Sequence, residues 1–144
     1  MLFRSEPTGV YQAWSETLIA GSKRGDIEGL DDFAAAMREV GDWQDAAETL
    51  STILSNIPQA KIEARVRVHR MLGQFAREHL QDPERAITHF KCVLIEQPSD
   101  QDALAALEEL YLSQHNFMGL EEVLRSRSEQ TDDPTIRQIG RAHV

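Results

Sequence analysis

The stretch GDWQDAAETLSTILSNIP, Gly41 to Pro58, decides the fold. Its apolar residues Trp43, Ala46, Ala47, Leu50, Ile53, Leu54 and Ile57 recur at steps of three and four, so they share one broad face of a helix. Asp42 is placed to cap the start and Pro58 to stop the end. A lone helix with so wide an apolar face is not stable in water, so the rest of the chain must supply its partner.

Helix signals continue on both sides, and no segment alternates apolar and polar residues over a strand length with β-branched enrichment. Upstream, a helix is expected from about Thr8 through Tyr11, Trp14, Leu18 and Ile19, stopping between Gly21 and Gly25. A second opens at Asp26, carries Ile27, Leu30, Phe33, Ala34 and Met37, and ends at Gly41. Downstream, a long helix from about Gln59 to His79 carries Ile62, Val66, Met71, Leu72, Phe75 and Ala76. Asp82 followed by Pro83 is a favoured helix start, and that helix presents Ala86, Ile87, Phe90, Val93 and Leu94 before Pro98. Ser99 or Asp100 starts the next, with Leu104, Leu107, Leu110 and Tyr111, and after His115 and Asn116 its partner carries Phe117, Leu120, Val123 and Leu124. The chain reads as all-α, with links of a few residues that turn consecutive helices back antiparallel.

The units repeat. Laid over the opening stretch, LQDPERAITHFKCVLIEQP aligns Ala86 with Ala46, Phe90 with Leu50, Leu94 with Leu54 and Pro98 with Pro58. Leu104, Leu107, Tyr111, Phe117, Leu120 and Leu124 hold the corresponding places in a third copy. With HRMLGQFA, which sets Leu72 and Gly73 three residues after His69 and before Phe75, this pattern resembles the tetratricopeptide repeat family. That family's unit is a helix, turn and helix of about 34 residues. Ala34 and Glu108 stand where the other two units would carry the glycine, and the middle unit has extra residues in its long first helix. The resemblance implies helical hairpins stacked into a right-handed superhelix, an α-solenoid. The expected division is one domain over residues 6–138: a lone helix over 8–25, repeats over 26–58, 59–98 and 99–131, and the start of a further repeat over 132–138. Faces around Tyr11 and Trp14 and around Leu124 are expected to lie exposed at the two ends of the array.

Composition narrows the function classes. Among 144 residues, 41% are hydrophobic and 27% charged, an ordinary globular balance. The net charge of −9 argues against nucleic acid as a partner, because binding a polyanion needs clustered cations. The single cysteine, Cys92, cannot form an internal disulfide. No apolar run of about 18 residues spans a membrane. The last six residues, IGRAHV, are what ATC GGA AGA GCA CAC GTC encodes, which resembles a widely used sequencing adapter, and LFRS near the start matches its reverse complement. Residues 1–5 and 139–144 are therefore expected to be non-native, and the chain an internal fragment of a longer bacterial-type repeat protein. The compartment stays open, with the cytoplasm favoured.

Residues able to do chemistry are scattered. His89 and Cys92 lie three apart on one helix face, a spacing two metal ligands could use, but no second pair matches them. Neither a metal nor a cofactor is expected, and Cys92 reads as a small half-buried hydrophobe. The acidic doublets 31–32, 108–109, 121–122 and 132–133 point about 100° apart on a helix and do not converge on a substrate. No phosphate-binding loop, nucleophile elbow or HExxH motif is present, so no catalysis is expected. Trp14 and Trp43 read as packing residues.

One constellation rises above this background. Lys61, Arg65, Arg67, Arg70 and Arg77 gather a third of the chain's fifteen cations in one segment of an acidic protein. In the tetratricopeptide repeat family the first helix of each unit lines a groove that holds peptides. Counted from the Leu72 and Gly73 pair, the resemblance places Arg67, Arg70, Gln74 and Arg77 toward that groove, with Glu109 at the matching place of the third unit. The family's carboxylate clamp puts asparagine where Ala35, Gln74 and Glu109 stand here, so that subtype is not expected. The expected function is a non-catalytic scaffold whose groove takes a protein or peptide, with acidic ones among the candidates and self-association through exposed end helices a further expectation. A structural spacer in a very large repeat protein, or a regulatory repeat beside an enzymatic domain, are the alternatives. The arginines could also serve only to balance acids such as Glu28, Asp31, Glu39, Asp102 and Glu109.

Overall fold

The computed structural model describes residues 7–131. The expected adapter-like ends and the start of a fourth repeat at 132–138 lie outside the described residues. Among those described there are seven α-helices and no strand: α1 (Pro7–Ser22), α2 (Leu30–Val40), α3 (Trp43–Asn56), α4 (Ile62–Glu78), α5 (Pro83–Glu96), α6 (Gln101–Ser113) and α7 (Phe117–Thr131). The chain divides into two units, residues 1–89 and 90–144, with α5 passing from one to the other.

Caps set most of the boundaries. The Asp42 side chain accepts from the Asp45 N–H at 3.1 Å, Asp82 from the Arg85 N–H at 3.1 Å, and Asp100 from the Ala103 N–H at 2.9 Å. The last contact makes Asp100, rather than Ser99, the residue that starts α6. Two starts differ from the sequence reading. Asp26 does not open α2; its carboxylate accepts from the Glu28 N–H within a turn, and the helix begins four residues later at Leu30. Gly25 and Gly29, with φ of 77° and 93°, hold backbone that an L side chain disfavours, so apolar periodicity continues through Ile27 while the helix cannot. Likewise α4 begins at Ile62 rather than Gln59, because the Pro58 carbonyl takes the Lys61 N–H at 3.0 Å and closes a turn first.

In the first unit, α1, α2, α3 and α4 share one apolar core. Leu18, Phe33, Met37, Ala46, Ala47, Leu50, Ile53 and Val68 are fully buried there, with Trp43 and Met71 packed around them. The Trp43 indole lies edge-on to Phe75 at 4.9 Å and stacks on His79 at 3.5 Å, so it packs. Polar stitches show a constant step. Tyr11 donates to Asp45 at 2.6 Å and Asn56 donates to Ser22 at 3.2 Å, both 34 residues apart, so α1 and α3 run parallel in register. Arg85 reaches Ser51 at 3.4 Å across the same 34 residues, which continues the step to the start of α5. Against the sequence expectation of an exposed end face, Tyr11 is only 4% exposed and Leu18 not at all. The neighbours α2 and α3 cover that face.

In the second unit, α6 buries Leu104, Leu107, Leu110 and Tyr111, and α7 buries Val123. Gly119 lets the two helices close: a Cβ there would lie 2.6 Å from the Tyr111 ring. Glu108, standing where the repeat pattern has glycine, pairs with Arg127 of α7 at 2.6 Å. The exposed face expected around Leu124 is present, with Phe117, Met118 and Leu124 all open to solvent.

Candidate functional site

Arg67, Arg70, Gln74 and Arg77 fall at steps of three and four, so α4 carries them as one stripe. The opposite face of α4 is apolar: Val66, Leu72, Phe75 and Ala76 are buried and fix the stripe outward. Arg67, Arg70 and Gln74 meet in a shallow depression of about 150 Å³, whose other wall is Leu30 and Asp31 from α2, with Met71 at its base. Arg67 lies 3.8 Å from the Asp31 carboxylate in an open ion pair. Arg77 does not line the depression; it lies 3.7 Å from its neighbour Glu78. Glu109 is an exposed residue of α6 in the second unit, so it is described apart from the stripe.

Arg65 leaves the constellation. Its guanidinium donates to the Leu54 and Ile57 carbonyls at 3.3 and 3.1 Å, closing the C-terminal end of α3. That end has Ile57 and Pro58 instead of a left-handed glycine, so a cation from the following helix takes its last carbonyls. A second contact escaped the sequence reading altogether. His69 of α4 and His89 of α5 bring their Nδ1 atoms to 3.0 Å. The only sequence sign is an Arg-x-x-x-His spacing used twice, at 65–69 and 85–89. Among the described residues no group of three or more His, Cys, Asp or Glu side chains converges on a possible metal position. Cys92 is half-buried, as a packing residue would be.

The second unit has a larger hollow, of about 320 Å³, floored by Leu107, Tyr111 and Val123 and rimmed by Lys91 and Glu122. No helix among the described residues is long and apolar enough to cross a membrane. Set against protein-family models, curated proteins and solved structures, the chain matches none.

Proposed function

We propose that this chain is a segment of a tetratricopeptide-like α-solenoid that serves as a non-catalytic scaffold, holding a peptide or protein partner along the outward stripe of α4. The observation that carries the reading is the convergence of Arg67, Arg70 and Gln74 in one depression on a helix whose other face is locked in the core. Guanidinium groups pair bidentately with carboxylates, so the fitting partner is an acidic segment or a chain terminus. Asp31 does not close the site: its side chain is 89% exposed, and an open pair of this kind is worth little against an incoming carboxylate. The step of 34 residues between α1, α3 and the start of α5 supports the repeat itself. A spacer role is the second reading, favoured by the Asp31 and Glu78 carboxylates that already stand beside Arg67 and Arg77.

A binding screen separates the two. The full chain and a variant with Arg67, Arg70 and Arg77 changed to Ala are titrated with acidic peptides and their scrambled neutral counterparts. Selective binding of acidic peptides that weakens at least about tenfold in the variant, or about 1.4 kcal/mol, supports the groove. Equal binding by both proteins makes the stripe ordinary surface charge and the array a spacer.

A further inference from the structure

The acidic-peptide reading makes no use of the His69 and His89 pair, which lies on a different side of α4. The two rings face each other across α4 and α5 with centroids 5.3 Å apart and planes tilted by 42°, and both are half-buried. At an Nδ1 to Nδ1 distance of 3.0 Å one nitrogen carries the proton and the other offers its lone pair, so the rings are opposite tautomers. One added proton still leaves a donor and an acceptor. A second leaves two N–H groups pointing at each other, and the contact cannot survive it.

The surroundings oppose even the first proton. Arg65 acts on His69 from α4, and Arg85 acts on His89 from α5. The α3 groups those two guanidiniums reach are neutral: the Leu54 and Ile57 carbonyls and the Ser51 hydroxyl. No carboxylate among the described residues acts on either ring to offset the charge. Burial first, then Arg65, lowers the pKa of His69; burial first, then His69 and Arg85, pushes His89 down to about 4. Two imidazoles flanked by two guanidiniums are equally unsuited to a metal cation.

We propose that the His69 and His89 contact is an acid-sensitive joint, tying α4 to α5 while both rings are neutral and releasing them when both are charged. Charging would create a row of four cations, Arg65, His69, His89 and Arg85, on two packed helices. The sign follows from linkage. Both groups bind protons more weakly folded than unfolded, so their contribution is whole above about pH 6.5 and is lost as pH falls toward 4.

The test uses the full chain, the single variant His89→Gln, the double variant His69→Gln with His89→Gln, and His115→Gln as a control in an exposed turn. Imidazole titration by NMR and urea unfolding between about pH 7 and about pH 4.5 are read together. We expect both rings of the pair to titrate below the ordinary histidine range. We also expect acidification to raise the wild-type unfolding constant roughly tenfold more than that of the double variant, with the control following wild type. Either ring titrating at or above about 6.5, or parallel stability profiles for wild type and double variant, overturns the joint. Should the double variant fail to fold, the wild-type titration and the single variant decide the matter.

Discussion

The helices α1 and α7 both carry large apolar residues, yet they end up in different states. In α1, Tyr11 and Leu18 sink into the core while Val10, Trp14 and Ile19 pack around its edge. Among the residues of α7 whose burial is described, Val123 alone is buried, and Phe117 and Met118 stay 64% and 85% exposed. The difference lies in neighbours. Tyr11 of α1 meets the Phe33 ring of α2 at 5.1 Å and hydrogen-bonds Asp45 at the start of α3, so two helices cover one face. The close approach of α7 is to α6, through Gly119 against Tyr111 and Arg127 against Glu108, which leaves its other apolar side open. Among packed helices an apolar stripe is necessary for burial, and a second neighbour is what completes it.

The sharpest way to break this comparison is to truncate one leucine in each helix. Leu18 is fully buried, so Leu18→Ala removes packed methyl groups and leaves a cavity, costing about 3–5 kcal/mol. Leu124 is 45% exposed, and Leu124→Ala is expected to cost less than about 1 kcal/mol. Denaturant unfolding of both variants provides the check. Similar losses would mean that α7 is as enclosed as α1 and that the contrast is wrong.

Glycines carry the next largest effect, since Gly29 lies against α1 and Gly119 brings α7 onto α6. Gly29→Ala would set a Cβ 2.3 Å from the Trp14 ring, at a φ of 93° that alanine disfavours. Gly119→Ala would set one 2.6 Å from the Tyr111 ring, within a regular helix. The first combines backbone strain with overpacking and should cost about 2–4 kcal/mol. The second should cost about 1–2 kcal/mol, because alanine's better helix propensity offsets part of the clash. Thermal melts that rank Gly119→Ala as the more damaging would show that α6 and α7 form the tighter contact.

How much of this could be read in advance depends on whether the controlling signal is local. The helices of α3, α5 and α6 follow from their spacing and from Asp42, Asp82 and Asp100, which act within a turn of themselves. Ala46 and Ala86, and Leu50 and Phe90, which the alignment pairs, are all buried. The start of α2 was misread because Ile27 keeps the apolar rhythm, whereas the backbone at Gly25 and Gly29 decides the matter. Arg67, Arg70 and Gln74 were legible as one stripe, but that Asp31 faces them depends on how α2 packs on α4. Arg65 and the His69 and His89 pair were out of reach for the same reason. Each is defined by the register between two helices, and a periodicity within one helix carries no record of it.

A smaller effect sharpens the account of α1. Tyr11→Phe keeps the ring against Phe33 and removes the hydroxyl's hydrogen bonds, the shortest of them the 2.6 Å bond to Asp45, an exposed carboxylate that water can satisfy. The expected loss is about 0.5–1.5 kcal/mol. Burial first, and then the Asp45 bond, raises the Tyr11 pKa to about 12. The folded state therefore holds the phenol proton more tightly than the unfolded state, and this contribution is lost as pH rises above about 10. Tyr11→Phe should flatten that alkaline decline, which urea unfolding at about pH 8 and about pH 10.5 would register. A decline unchanged in the variant would place its cause elsewhere.

The smallest effect on stability tests the open face of α7 most directly. Phe117 and Met118 lie in the first turn of the helix and hold little buried area, so changing both to Ser should move stability by no more than about 0.5 kcal/mol. Their solvent exposure matters in another way. Together with the exposed Ile95 and Leu124, they present apolar surface of the kind that draws a second protein molecule. Sedimentation velocity over a range of concentrations should show wild type associating and the double serine variant remaining closer to monomer. A wild type that stays monomeric at the highest concentration would break the idea that α7 is a face awaiting a neighbour. The contrast with α1 would then be one of burial alone.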